Sequence, residues 1–247
     1  MPEIAIIVPA RMESIRFPRK LLHTVWGKPL LLCVAERIAE QAPQWPLYFA
    51  VDHEELADVV RGSGFEAIMT SSTHASGTDR LVEANEKIGA DLVINVQGDE
   101  PLVSGAQIRA LAEGINADVP MATLCTQFWT KEDFVDPNQV KVVRGNDGCA
   151  LYFSRAPIPY PRDSWDELDP DWFTKNKTFR HLGLYAYRRE FLAEWKHLAP
   201  GRLEQLERLE QLRALENGYR ISVGVSDDPS IGIDTLEDLE KLSRHVL

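Results

Sequence analysis

Arg11, Arg16, Arg19 and Lys20 fall within VPARMESIRFPRKLL, the stretch from Val8 to Leu22. Arginine offers phosphate a bidentate fork and lysine a point charge. Main-chain N–H groups around Ala10 can add to both. The stretch is neither a Walker loop, since G-x-x-x-x-G-K-[ST] is absent, nor a G-x-G-x-x-G turn, since it contains no glycine. If phosphates are held here, side chains hold them; the alternative is a solvated basic loop. A second segment, INVQGDEP from Ile94 to Pro101, ends an apolar run in Gln97, Gly98, Asp99 and Glu100. Carboxylates beside a phosphate site suit Mg²⁺, which takes one or two carboxylates plus substrate phosphates. An ordinary Gly-Asp turn is the competing reading.

Two further segments carry weaker signals. In SSTHASGTDR, Ser71 to Arg80, hydroxyls and Gly77 can read the edge of a base; equally, the segment can be a loop running into a helix capped by Ser76 or Thr78. In SIGIDTLEDL, Ser230 to Leu239, Thr235 and Asp238 have the spacing of a capping box. Asp234 just before them is available as a second metal ligand.

These segments need a scaffold that gathers them. Short apolar runs at Ile4–Val8, Leu47–Val51, Ala67–Met69, Leu92–Val96 and Met121–Cys125 read as strands. Between them, Leu30–Gln41, His53–Arg61, Asp79–Ile88 and Gln107–Ile115 read as amphipathic helices. Alternation of this kind predicts a mainly parallel α/β sheet covered by helices on both faces, with ligands at the carboxyl ends of the strands. Beyond about residue 126 the rhythm changes. Val140–Val143, Cys149–Phe153 and Leu182–Tyr187 read as strands separated by proline-rich linkers, and Trp165–Asn176 reads as a surface loop. Leucines at 203, 206, 209, 212 and 215 suggest one helix over Arg202–Glu216, followed by a strand at Ile221–Val225 and a helix at Leu236–His245. The expected organisation is a single domain over 1–247: a core from about 1–126 and 218–247, and a smaller lobe from about 127–217.

Composition narrows the function classes. The 247 residues include 27 Lys and Arg against 38 Asp and Glu, a formal net charge of −11. That field disfavours nucleic acid and anionic membrane surfaces, so an anionic ligand must rely on a local basic cluster. Cys33, Cys125 and Cys149 show neither zinc spacing nor a disulfide framework and read as buried thiols in a reducing cytoplasm. The N-terminus lacks signal-peptide features, and no apolar run approaches the ~20 residues of a membrane span.

IIVPARMESIRFPRKLL resembles the N-terminal signature of the sugar nucleotidyltransferases, S-x-R-x-P-x-K, in its cytidylyltransferase form. HASGTDR, VINVQGDEPL, DPNQVKVV, ALYFSRAPIPYPRD, RHLGLYAYRREFL, LEQLERLEQLRALENGYRISV and GIDTLEDLE then follow in the order typical of the 3-deoxy-manno-octulosonate (Kdo) cytidylyltransferases. The resemblance runs almost from end to end. It implies a Rossmann-like nucleotide-diphospho-sugar transferase fold with a dimerisation lobe, a homodimer, and CTP and Kdo as substrates. The product, CMP-Kdo, would serve lipopolysaccharide synthesis in the cytoplasm. It further implies that Ala10, Arg11 and Lys20 hold CTP, that Thr70, Ser76, Gly77, Arg80 and Gln97 contact cytosine or ribose, and that Asp99 and Asp234 ligate Mg²⁺. Arg155, His181, Tyr185, Glu210 and Gln211 would line the sugar site, with Arg155 or His181 meeting the substrate carboxylate. An 8-amino analogue of Kdo or a sialic acid is the alternative acceptor. The chain departs from the pattern at Arg19, where relatives commonly carry glycine, and at Met12-Glu13, which replaces a small run of aromatic and alanine residues.

Overall fold

A computed structural model describes residues 3–14, 17–74, 76–228, 232–233 and 235–243. The chain opens with strand β1 (Ile4–Ala10), a small hairpin of β2 (Thr24–Val25) and β3 (Lys28–Pro29), and helix α1 (Leu30–Gln41). Next come β4 (Leu47–Val51), α2 (Glu54–Gly62), β5 (Glu66–Met69), α3 (Gly77–Ile88), β6 (Leu92–Asn95), α4 (Gly105–Glu113) and β7 (Met121–Gln127). The later part holds α5 (Lys131–Val135), β8 (Lys141–Arg144), β9 (Ala150–Ser154), α6 (Pro170–Lys175), β10 (Phe179–Arg188) and α7 (Arg189–Trp195). It closes with α8 (Arg202–Glu207), α9 (Leu212–Glu216), β11 (Ile221–Val225) and α10 (Leu236–Ser243).

The main path through the sheet runs β11-β7-β10-β6-β1-β4-β5. Its pairings are parallel except at β10, which runs antiparallel to both β6 and β7. The expected mainly parallel α/β fold is therefore the observed one. Strand β1 shows why its residues are apolar without alternation: Ile6, Val8 and Ala10 enter the cluster formed with α1, α2, α4 and α10, while Ala5 and Ile7 enter the cluster formed with α3, α7 and α9. A strand covered on both faces has no polar side.

Local signals account for the helix ends. Ser76 accepts a hydrogen bond from the Asp79 N–H at 3.1 Å and caps α3, which ends at Gly89 with φ +81°. Ser104 and Gln107 form a reciprocal capping box on α4. Thr235 and Asp238 do the same ahead of α10.

Two expectations are corrected. Arg202–Glu216 is not one helix: Arg208 adopts φ +54°, ending α8, and the chain resumes as α9. A leucine every third residue drifts around a helix of 3.6 residues per turn, and Leu206 is accordingly 69% exposed while Leu212 is buried. Trp165–Asn176 is not an irregular loop. It contains a 3-10 turn at Trp165–Glu167 and α6, with Phe173 and Leu168 packed on Phe128 and Phe134 in a small separate core. The 127–217 segment returns β10 to the middle of the main sheet, between β7 and β6.

Candidate active site

The basic loop and the acidic turn meet because β1 and β6 are parallel neighbours whose carboxyl ends lie side by side. Lys20 forms an ion pair with Asp99, both side chains being mostly buried. Gly98 runs close to β1: a Cβ there would lie 3.4 Å from the Pro9 carbonyl and 3.3 Å from Leu21. Pro9, Arg11, Ser14, Lys20, Gln97 and Asp99 line a cleft of about 170 Å³. Arg19 does not join them. It adopts φ +56° and pairs with Glu55 of α2. The turn thus places Lys20 in the cleft and Arg19 outside it, at a left-handed position where glycine is the unstrained choice. Arg16 and Asp234 lie outside the described residues. The neighbours of Asp234 approach the acidic turn, the Ile233 N–H donating to the Asp99 carbonyl at 3.1 Å.

A second cleft, of about 280 Å³, adjoins the first through Pro9, Arg11 and Gln97 and is also lined by His74, Ser76, Gly77, Arg80 and Glu210. Arg80 is deeply set rather than displayed. Its Nη1 donates to Thr70 Oγ1 at 2.6 Å and its Nη2 to Asp52 Oδ2 at 3.0 Å. Burial lowers its pKa, an effect that Asp52 and Glu83 oppose. Thr70 is buried and donates its hydroxyl proton to the Val51 carbonyl, so it supports Arg80 and does not line the cleft. Burial alone would raise the Glu83 carboxyl, but hydrogen bonds from Ser71 N–H, His74 and Lys87 outweigh it and hold the group at about 2. Glu83 thereby orients His74 at the cleft wall.

The residues expected around the sugar divide among three places. Glu210 lines the second cleft and accepts from Thr78 Oγ1 at 3.0 Å; burial raises its pKa against the Ser76 and Thr78 hydroxyls. Gln211 is buried, and its side-chain nitrogen has no hydrogen-bond partner among the described residues. His181 lines a third cleft of about 290 Å³ with Glu100, Asn138, Gln139, Arg180 and Gly232. The Tyr185 ring packs 5.4 Å from His181 and 5.8 Å from Tyr187, and burial keeps its phenol protonated. Arg155 lines none of these clefts. Its guanidinium donates to the main-chain carbonyls of Glu207 at 2.7 Å, Pro137 at 3.0 Å and Arg208 at 3.4 Å.

Arg155 and His181, the two residues expected to meet the substrate carboxylate with a cation or N–H donors, have different surroundings. Arg155 clamps the α8–α9 junction, where the kink at Arg208 leads into Glu210 and Gln211. His181 is neutral, because burial pushes its pKa down to about 3. A bulge in β10 frees carbonyls at Leu182 and Leu184, and both accept from Thr123 Oγ1, at 3.1 and 2.8 Å. The same hydroxyl lies 3.0 Å from His181 Nε2, within hydrogen-bond distance. The guanidinium of this cleft is Arg180, whose Nη1 donates to Gln139 Oε1 at 2.9 Å.

Asn138, Gln139 and Arg180, which line the third cleft, and Asp52, which holds Arg80, are candidate residues that motif reading passed over. Their signal was proximity: Asn138 and Gln139 sit inside DPNQVKVV, and Arg180 precedes His181. Among the described residues no group of three or more His, Cys, Asp or Glu could hold a metal ion. Asp99 nonetheless fits a hard divalent cation as a carboxylate opening onto a cleft that also presents Arg11 and Lys20, where ligand oxygens would complete the shell.

A profile of the cytidylyltransferase family matches residues 5–221. A 3-deoxy-manno-octulosonate cytidylyltransferase of Geobacter sulfurreducens is 47% identical over 245 residues, 97% of each chain. One of the enzymes of that name in Actinobacillus pleuropneumoniae is 44% identical, also over 97% of each chain. A solved structure of a CMP:2-keto-3-deoxy-manno-octonic acid synthetase complexed with CTP superposes with a TM-score of 0.89 at 38% identity, covering 98% of this chain and 97% of the other. A cytidylyltransferase structure from Leptospira borgpetersenii shares the fold at a TM-score of 0.65 and 14% identity, covering 98% of this chain and 86% of the other.

Proposed function

The chain belongs to the cytidylyltransferase family, and from that premise we propose that it transfers a cytidylyl group from CTP to the anomeric hydroxyl of 3-deoxy-D-manno-octulosonate, releasing pyrophosphate. The observation that carries this reading is the pair of adjoining clefts that share Arg11 and Gln97: one presents Lys20 and Asp99, the other Ser76 and Gly77 at the start of α3. Their joint size and polarity suit a nucleoside triphosphate, the base towards α3 and the phosphates towards Lys20. The relatives named for Kdo favour that acceptor over its 8-amino analogue or a sialic acid.

In this reaction the anomeric oxygen attacks the α-phosphorus, the bond to the β-phosphate oxygen breaks, and pyrophosphate leaves. Positioning and charge neutralisation are the main tasks of the protein. Arg11 and Lys20 bind the triphosphate and offset charge on the departing pyrophosphate. Asp99 holds Lys20 in the cleft before substrate binds. The third cleft, with Arg180, Gln139 and a neutral His181, suits a sugar acid: the guanidinium matches its carboxylate, and a neutral imidazole can hydrogen-bond a sugar hydroxyl. A Mg²⁺ ion, held by Asp99 with Asp234 as the further candidate, would supply charge neutralisation on the triphosphate and acidify the attacking hydroxyl.

The proposal includes a homodimer, supported by Leu151 on β9 and Leu206 on α8, which are 64% and 69% exposed, and checked by light scattering. It includes a cytoplasmic setting with a role in lipopolysaccharide synthesis, in keeping with the free thiols of Cys33, Cys125 and Cys149 and checked by cell fractionation. The central test measures pyrophosphate release from each of the four nucleoside triphosphates with Kdo, 8-amino-Kdo or sialic acid, with and without Mg²⁺. Release is expected with CTP, Kdo and Mg²⁺ together; no release from CTP with any of the acceptors rejects the reading.

A further inference from the structure

Asp52 stands one residue beyond β4 and belongs to none of the sequence motifs. Strands β1 and β4 are paired up to Ala10 and Val51. One residue further, the Asp52 side chain takes over from the ladder. Its Oδ1 accepts the Met12 N–H at 2.8 Å, and its Oδ2 accepts Arg80 Nη2 at 3.0 Å. The side chains of Arg80 and Asp52 are 5% and 10% exposed, so both bonds form largely out of water. Met12 follows Arg11 directly and stands two residues before Ser14, and Arg11 and Ser14 both line the cleft that holds Lys20 and Asp99. The other end of Arg80 is fixed by Thr70 Oγ1 and the Ser71 carbonyl, at 2.6 and 3.3 Å.

We infer that Asp52 is a positioning residue for the phosphate-binding loop: one carboxylate ties the chain beside Arg11 to the buried guanidinium that walls the nucleotide cleft, so that triphosphate and nucleoside subsites are set as a unit. The inference rests on the CTP reading above. Asparagine at this position has one oxygen and can satisfy only one of the two donors. Glutamate keeps the charge and both oxygens but moves them by a methylene. A charge partner for Arg80 and nothing more would affect all nucleotides alike. A loop tether acts through Arg11, so its loss falls on ligands that carry the triphosphate.

The test measures CTP and CMP dissociation constants by calorimetry, together with melting temperature, for the wild type, Asp52→Asn and Asp52→Glu. Loss of a hydrogen bond to a charged phosphate oxygen weakens binding by roughly 10- to 100-fold, so CTP affinity is expected to fall by at least about 10-fold. CMP affinity should fall less than about threefold, the folded state being retained in at least one variant. Equal weakening of CTP and CMP, unchanged CTP affinity in a folded variant, or failure of both variants to fold would each overturn the inference. A wild type that binds no CTP would instead reject the functional reading on which it rests.

Discussion

At Arg19 the chain keeps a large cation in a backbone conformation that favours glycine, with φ +56°. Left-handed strain of roughly 1–2 kcal/mol is opposed by an exposed ion pair with Glu55 worth about 0.2–1 kcal/mol and by the extra freedom glycine gives the unfolded chain, about 0.4–1 kcal/mol. These nearly cancel. Arg19→Gly is therefore expected to shift the melting temperature by no more than about 3 °C and to leave pyrophosphate release intact, since the side chain pairs with Glu55 and does not line the cleft that holds Lys20. Asp99→Asn should behave oppositely. It removes the charge that orients Lys20 and the candidate metal carboxylate, so turnover should fall by at least about 100-fold while circular dichroism remains that of the wild type; near-normal turnover with Mg²⁺ would remove Asp99 from the site. The cations at 11 and 20 and the carboxylate at 99 were legible because they fall in polar segments that follow strands of a parallel α/β pattern. Arg155, whose type suits a carboxylate, is held in this structure by three main-chain carbonyls.

Most of the strands and helices were legible to within a few residues, because apolar periodicity and caps are local properties. The failures lie where side-chain packing overrides periodicity. Arg208 breaks the leucine-rich segment so that Leu209 and Leu212 can enter the core while Leu206 stays outside. Phe173 draws an apparently irregular segment into a helix by packing on Phe134 at a centroid distance of 5.8 Å. This small core is tied to β7 by Gln127 Nε2, which donates to the Phe173 carbonyl at 2.7 Å. Phe173→Ala is expected to cost about 3–5 kcal/mol, lowering the thermal midpoint by roughly 10 °C. A change under about 2 °C would show that α6 is held by something other than this cluster.

For the molecule as a whole, His181 links the third cleft to stability. Its folded pKa, about 3, lies below the ordinary histidine value of 6.5. Between those values the unfolded chain binds the proton and the native state does not, so stability rises with pH there. The contribution is fully present above pH of about 6.5 and is lost as the pH falls towards 3. Thermal midpoints measured across that window should decline on acidification, and His181→Gln should flatten the decline; an unchanged slope would mean that His181 is protonated in the native state.

The amino-acid sequence by itself determined the strand–helix alternation, the parallel character of the sheet and the polar segments at its carboxyl edge, because these follow from periodicity, charge and turn chemistry within a few residues. Only the tertiary structure decided which groups meet. Lys20 and Asp99 are 79 residues apart, Asp52 and Met12 40, and Asp52 and Arg80 28. Those pairings exist because the strand order sets β6, β1 and β4 side by side, and no local pattern encodes that order. The same holds for His181, whose neutrality comes from burial beside Thr123 at a strand bulge.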